Sequence, residues 1–152
     1  MQCLRNGFFG FNIAEKTAML WDGGDIPVSS TTLKTIAQAL VTIFSKPDVL
    51  KQTANEFIYI ASFTATQNEV LKILETSTGE KWKIKHVQAK PVHTAAFKKF
   101  AEGDDSLPVI ADLVLSSAFS AERLNDFRSV GLWNDKLGLP KEDLEEEIKT
   151  AL

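Results

Sequence analysis

The chain has 152 residues, 44% hydrophobic and 24% charged, ordinary proportions for a globular protein and enough length to bury roughly 70% of the unfolded-chain surface. A formal net charge of −3 gives no basic field to attract nucleic acid. One cysteine, Cys3, excludes an internal disulfide and, with two histidines, argues against a structural zinc site.

No apolar run approaches the ~18 residues that a membrane span needs, and no signal-peptide pattern stands at the N-terminus. The sparing use of cysteine fits a cytoplasmic chain. Residues 1–5 read as a short strand and residues 6–13 as a loop rich in glycine and phenylalanine. Thr-Ala-Met-Leu-Trp at 17–21 reads as a compact strand closed by the turn Asp22-Gly23-Gly24-Asp25, with an extended stretch at 27–30. Leu33, Ile36, Ala37, Leu40 and Phe44 recur at helical spacing and predict a helix over 32–45. Ser30, Thr31 and Thr32 offer N-caps, and Pro47 stops the helix. Phe-Ile-Tyr-Ile-Ala at 57–61 is apolar on both faces, the pattern of a strand buried on both sides in a parallel sheet.

Thr66 and Glu69 form a capping box for a helix over 67–76. Its inward face is Val70, Ile73 and Leu74, and Gly79 ends it. Residues 81–87 alternate, with Trp82, Ile84 and His86 on one face and Lys81, Lys83 and Lys85 on the other. That pattern reads as a half-buried strand at a sheet edge. Further helices are predicted over 91–102, with Val92, Ala96 and Phe100 on one face, then over 108–117, 121–128 and 141–151. Pro140 opens the last, and Glu142 and Asp143 favour its dipole. Strands alternating with helices, followed by helices alone, imply an α/β sheet with a smaller helical cap.

Four segments together resemble the NmrA-like and isoflavone-reductase-like proteins, atypical relatives of short-chain dehydrogenases. They are Asn6-Gly7-Phe8-Phe9-Gly10-Phe11; Trp21-Asp22-Gly23-Gly24-Asp25-Ile26-Pro27-Val28-Ser29; Tyr59-Ile60-Ala61-Ser62-Phe63 with Thr66-Gln67-Asn68-Glu69; and Leu137-Gly138-Leu139-Pro140 with Glu142-Asp143-Leu144-Glu145. The resemblance covers essentially the whole chain and rests on the order and spacing of these segments. It implies the C-terminal part of a Rossmann-type NAD(P)-binding fold with a small, mostly helical substrate lobe. Residues 1–152 would then be a single substrate-side domain, lacking the N-terminal dinucleotide-binding half.

Two of the family's signatures are missing. The Gly-x-x-Gly-x-x-Gly turn has its nearest counterpart in Gly7-Phe8-Phe9-Gly10, where phenylalanines fill the positions of approach and no helix is predicted next. The Tyr-x-x-x-Lys pair cannot form, because the only tyrosine, Tyr59, is followed four residues on by Phe63. The family uses NADP, and this chain alone is expected to bind none. No residue inherits a catalytic or metal-binding role.

By resemblance, the loop carrying Asn6, Phe8 and Phe9 leaves the carboxyl edge of the sheet. Those three residues are the candidate contacts to an aromatic or apolar small-molecule substrate. The alternative is that the rings are core and Asn6 caps a turn. His86 and His93 are candidates for a proton shuttle or for half-buried packing. Ser62-Phe63-Thr64-Ala65-Thr66 could receive an anion at the following helix, but the capping box already occupies those amides. Lys81, Lys83, Lys85 and Lys90 read as a solvated edge, and the acidic run 142–147 as a helix surface. Two functions fit. One is the substrate-binding side of an NADP-dependent oxidoreductase, as a partial chain. The other is a non-catalytic regulatory or partner-binding module. Neither nucleic acid nor membrane is expected as a partner, and an uncovered sheet edge would favour self-association.

Overall fold

The structure, a computed structural model, describes residue 7 and residues 9–122 and 124–152. The strand expected at 1–5 lies outside them. In chain order the strands are β1 (Phe11–Asn12), β2 (Thr17–Trp21), β3 (Val28–Ser30), β4 (Phe63–Ala65) and β5 (Lys83–Val87). The helices are α1 (Leu33–Ser45), α2 (Pro47–Thr53), α3 (Gln67–Thr78), α4 (Ala89–Ala101), α5 (Leu107–Ala118), α6 (Asn134–Leu137) and α7 (Leu144–Lys149). The result is a mixed α/β chain with two small sheets.

In the first sheet β2 is central. It pairs antiparallel with β1, Phe11 opposite Ala18, and parallel with β5, from Thr17 opposite Lys83 to Trp21 opposite Val87. The parallel pair brings two strand ends to the same side, which matters for the site. The second sheet joins β3 and β4 antiparallel, Val28 opposite Ala65. The core gathers around β2 and α3. Phe9 meets Phe119 edge-on at 5.3 Å, Phe11 meets Trp82 edge-on at 6.0 Å, and Val70, Leu74 and Ile148 close the interior.

Local signals predict α3 well. Thr66 Oγ1 accepts the Glu69 N–H at 3.1 Å, and Glu69 Oε2 accepts the Thr66 N–H at 2.7 Å, so two orphan donors are satisfied reciprocally. Gly79 ends the helix in the left-handed conformation at φ 70°. α1 likewise begins after Thr32, whose hydroxyl accepts the Thr35 N–H at 3.1 Å.

Elsewhere the structure corrects the sequence reading. Residues 57–61 are not a strand, and Phe57 is 85% exposed. Their backbone is satisfied by the C-terminal segment instead. The Trp133 N–H donates to Tyr59 O at 2.8 Å, while the Asn134 side chain accepts the Ala61 N–H at 3.1 Å and donates to Ala61 O at 2.7 Å. The strand comes two residues later, as β4. Among the described residues of 121–128 no α-helix forms, and only a single 3-10 turn begins, at Phe127–Ser129. Asn125 O accepts the Ser29 N–H at 2.7 Å, and the Phe127 N–H donates to Ser29 Oγ at 3.1 Å, so this segment is tied to β3. Pro47 ends α1 as expected and also opens α2, where its missing N–H costs nothing. α4 begins at Ala89, two residues before Pro91, and Phe100 on its predicted inner face is 45% exposed. Asp143, rather than Pro140, starts α7, accepting the Glu146 N–H at 3.0 Å. On β5 the alternation fails. Trp82 is buried, but Ile84 is 47% exposed and His86 is exposed, because among the described residues β5 is the outer strand of its sheet. No helix among the described residues is long and apolar enough to cross a membrane.

Gln67 joins these pieces. Its side chain is fully buried. Oε1 accepts the Trp21 N–H at 2.8 Å, and Nε2 donates to Phe9 O at 2.8 Å and Met19 O at 2.9 Å. One amide thus ties the aromatic loop and β2 to the first turn of α3. Gly10 completes the arrangement. It sits at φ 86°, and a Cβ there would lie 2.5 Å from Met19 O and 2.7 Å from Gln67 Nε2.

Gln67→Leu keeps the approximate volume and strands three buried backbone groups. It is expected to lower stability by roughly 3 kcal/mol or more in urea denaturation. Gly10→Ala is expected to cost at least about 2 kcal/mol, since both the φ and the contact oppose it.

Candidate functional site

Because β2 and β5 are parallel, their carboxyl ends, Trp21 and Val87, stand side by side. Beyond Trp21 the chain reverses through Asp22, Gly23 and Gly24, all at positive φ (44°, 87° and 80°). The non-glycine Asp22 is held there by its own carboxylate. Oδ1 accepts the N–H of Ala89, the first residue of α4, at 2.9 Å. An acid at a helix N-terminus satisfies an orphan donor and meets the positive end of the helix dipole. Asn68 fixes the rest of the turn, donating to Gly23 O at 2.9 Å and Asp25 Oδ1 at 2.7 Å. Gly24 is packed against it, and a Cβ there would come within 2.8 Å of Asn68 Oδ1. Gly23 faces open space.

Over this turn lies a cleft of about 1000 Å³, lined by Asp22, Gly23, His86, Val87, Gln88, Lys90, Pro91, Thr94, Ala95 and Lys98. Ligands of open α/β sheets bind outside the carboxyl ends of the strands, and the cleft occupies that position. Its chemistry is mixed. Val87, Pro91 and Ala95 offer an apolar wall, His86 and Gln88 offer hydrogen bonds, and Lys90 and Lys98 offer positive charge. Asp22 is already committed to Ala89. The arrangement can hold a small molecule with an apolar body and a polar or anionic edge.

A smaller hollow of about 460 Å³ runs beside the aromatic loop, lined by Gly7, Gly10, Phe11, Met19, Ile84 and Leu115 among others. Of the three predicted substrate contacts, Asn6 and Phe8 lie outside the described residues. Phe9 is 5% exposed, its ring packed on Phe11 and Phe119 and its carbonyl bound by Gln67.

The two histidines are not brought together. His86 lines the cleft, whereas His93 Nδ1 lies 3.1 Å from Ser116 Oγ and 3.3 Å from Ser117 Oγ, joining α4 to α5. The amides at the start of α3 are occupied by the capping box. Among the described residues no group of three or more histidine, cysteine or acidic side chains could hold a metal. The Gly7–Gly10 turn does not fit a dinucleotide phosphate. It runs into β1 rather than a helix, and the space beside Gly10 is taken by Met19 O and Gln67.

The sequence reading missed the roles of two carboxylates around these elements. Asp22 was legible only as a turn residue, although an acid before two glycines in a turn at a strand end is a usable signal. Glu142, read as helix surface, accepts hydrogen bonds from Thr32 Oγ1 at 2.9 and 3.1 Å and from Thr35 Oγ1 at 2.7 Å. Burial pushes its carboxyl up, but the hydroxyls of Ser62, Thr35 and Thr32 and the nearby Lys34 outweigh this and hold it below its ordinary value. It clasps the C-terminal segment to the N-terminus of α1.

No protein-family model matches the chain. It is 33% identical over 94 residues to oxidoreductase poxI of Penicillium oxalicum, a match covering 62% of this chain and 29% of that protein. It is 26% identical over 146 residues to oxidoreductase aprR of Aspergillus flavus, covering 95% of this chain and 48% of that protein. The chain thus spans less than half the length of either relative. These similarities support an oxidoreductase-like family.

Glu142 generates a pH prediction. A carboxyl whose folded pKa is depressed contributes stability in full above its unfolded pKa, about 4.3, and loses it as pH falls through the lower folded value. Urea denaturation followed downward from neutral pH is expected to show this loss. Glu142→Gln is expected to be less stable at neutral pH and to flatten that part of the profile.

Proposed function

We propose that this chain forms the substrate-binding side of an oxidoreductase of the NADP-dependent, NmrA-like or isoflavone-reductase-like type. The observation that carries the reading is the cleft at the carboxyl ends of the parallel pair β2–β5, where open α/β sheets take their ligands. The similarity to two oxidoreductases and the four sequence segments support it. On this reading the substrate is a small aromatic or apolar molecule. Its apolar body lies against Val87, Pro91 and Ala95, and its polar edge meets His86, Gln88 and Lys90. Phe9, one of the three substrate contacts expected from the sequence, belongs to the core rather than to this cleft. On this reading NADP would supply the redox chemistry, held by a glycine turn of the family's type, which the Gly7–Gly10 turn does not match. The chain alone binds the substrate side and leaves the cofactor unbound.

The test has two arms. NADPH fluorescence, titrated with the purified chain, is expected to show no saturable binding, and micromolar affinity would overturn the division of labour. A set of aromatic acids and phenols followed by amide NMR is expected to shift Gly23, His86 and Gln88 first, with dissociation constants of about 1 mM or tighter. Shifts confined to other surfaces would overturn the cleft. Substrate binding without turnover, even when joined to a cofactor-bearing half, would favour a non-catalytic regulatory module.

A further inference from the structure

α1 turns its apolar side outward. Leu33 is 66% exposed, Ile36 38%, Leu40 49%, Val41 65% and Phe44 71%, whereas Thr35 and Ala39 are the residues it buries. At helical spacing those five side chains span an arc of about 140° on one side of the helix. A surface helix normally shows its polar side to water. Leu50 of α2, 43% exposed, extends the patch, since α2 packs against α1.

The area is large. These six side chains present on the order of 500 Å² of apolar surface, at the upper end of the largest patch on an ordinary monomer. Two such faces brought together would remove roughly 1,000 Å², about the threshold for a specific interface.

The area fits a second copy as the occupant. Two α1 helices packed about a two-fold axis offer each other the same apolar face, so every contact forms twice and the buried area reaches what a specific pair needs. The edge of β5, unpaired among the described residues, is a poorer route to association, since Lys83 and Lys85 guard it.

We propose that α1 and α2 form a face through which two copies of this chain pair. The proposal is independent of the redox reading. Sedimentation equilibrium of the chain is expected to show a monomer–dimer equilibrium, the limiting mass being twice 16.8 kDa. Leu40→Lys with Phe44→Glu is expected to give a monomer at every concentration, with unchanged circular dichroism because both positions are exposed. Lys83→Glu with Lys85→Glu is expected to leave the dimer intact. A monomeric wild-type chain would overturn the proposal and assign the face to another segment or partner. A dimer that survives the Leu40 and Phe44 changes, one that the β5 changes dissolve, or an open-ended rise in mass would overturn it as well.

Discussion

A single buried amide sets the geometry on which the rest of the molecule depends. Gln67 is closed off from water, so each of its polar atoms needs a partner, and it finds them on three different backbone groups. Those groups belong to the aromatic loop, to the middle of β2 and to its end. Its neighbours in sequence work on the same region. Thr66 and Glu69 close the helix start, and Asn68 holds the turn that follows β2. Four consecutive residues therefore fix a helix, a strand and a turn against one another.

The cleft inherits its shape from that junction. Trp21 is pinned by Gln67, so the next three residues must reverse direction in a left-handed path, and only glycines and an acid with a strong partner hold such a path. Asp22 finds its partner at the start of α4, which ties that helix to the end of β2. The site is thus a consequence of packing in the adjacent core. The same logic accounts for Gly10, whose positive φ and missing side chain let Met19 O and Gln67 approach.

What the sequence made legible was local. The capping box, Gly79 as a helix end, the strand at 17–21 and the turn at 22–25 each depend on residues within a few positions of one another, and each formed as read. The stripe on α1 was legible as a periodic pattern, but which side of the helix packs inward was not, because that depends on Thr35 and on a carboxylate more than one hundred residues away at Glu142. Residues 57–61 failed for the same reason. Their apolar run reads as a buried strand, yet the groups that satisfy their backbone are Trp133 and Asn134. The sequence reading looked for a site on the loop of Asn6, Phe8 and Phe9, whereas the cleft over the turn after β2 depends on Gln67 and Asp22, whose partners required the fold.

The most direct measurement of this account is amide hydrogen exchange at Trp21 and Ala89, in the native chain and in Gln67→Ala. The account predicts that in the native chain Trp21 exchanges only through global opening, and that in the variant both amides exchange far faster than the middle of α3. If Trp21 exchanges as fast as the exposed loops in the native chain, or if the variant leaves Ala89 protected, then Gln67 does not hold the turn and the cleft is positioned by something else.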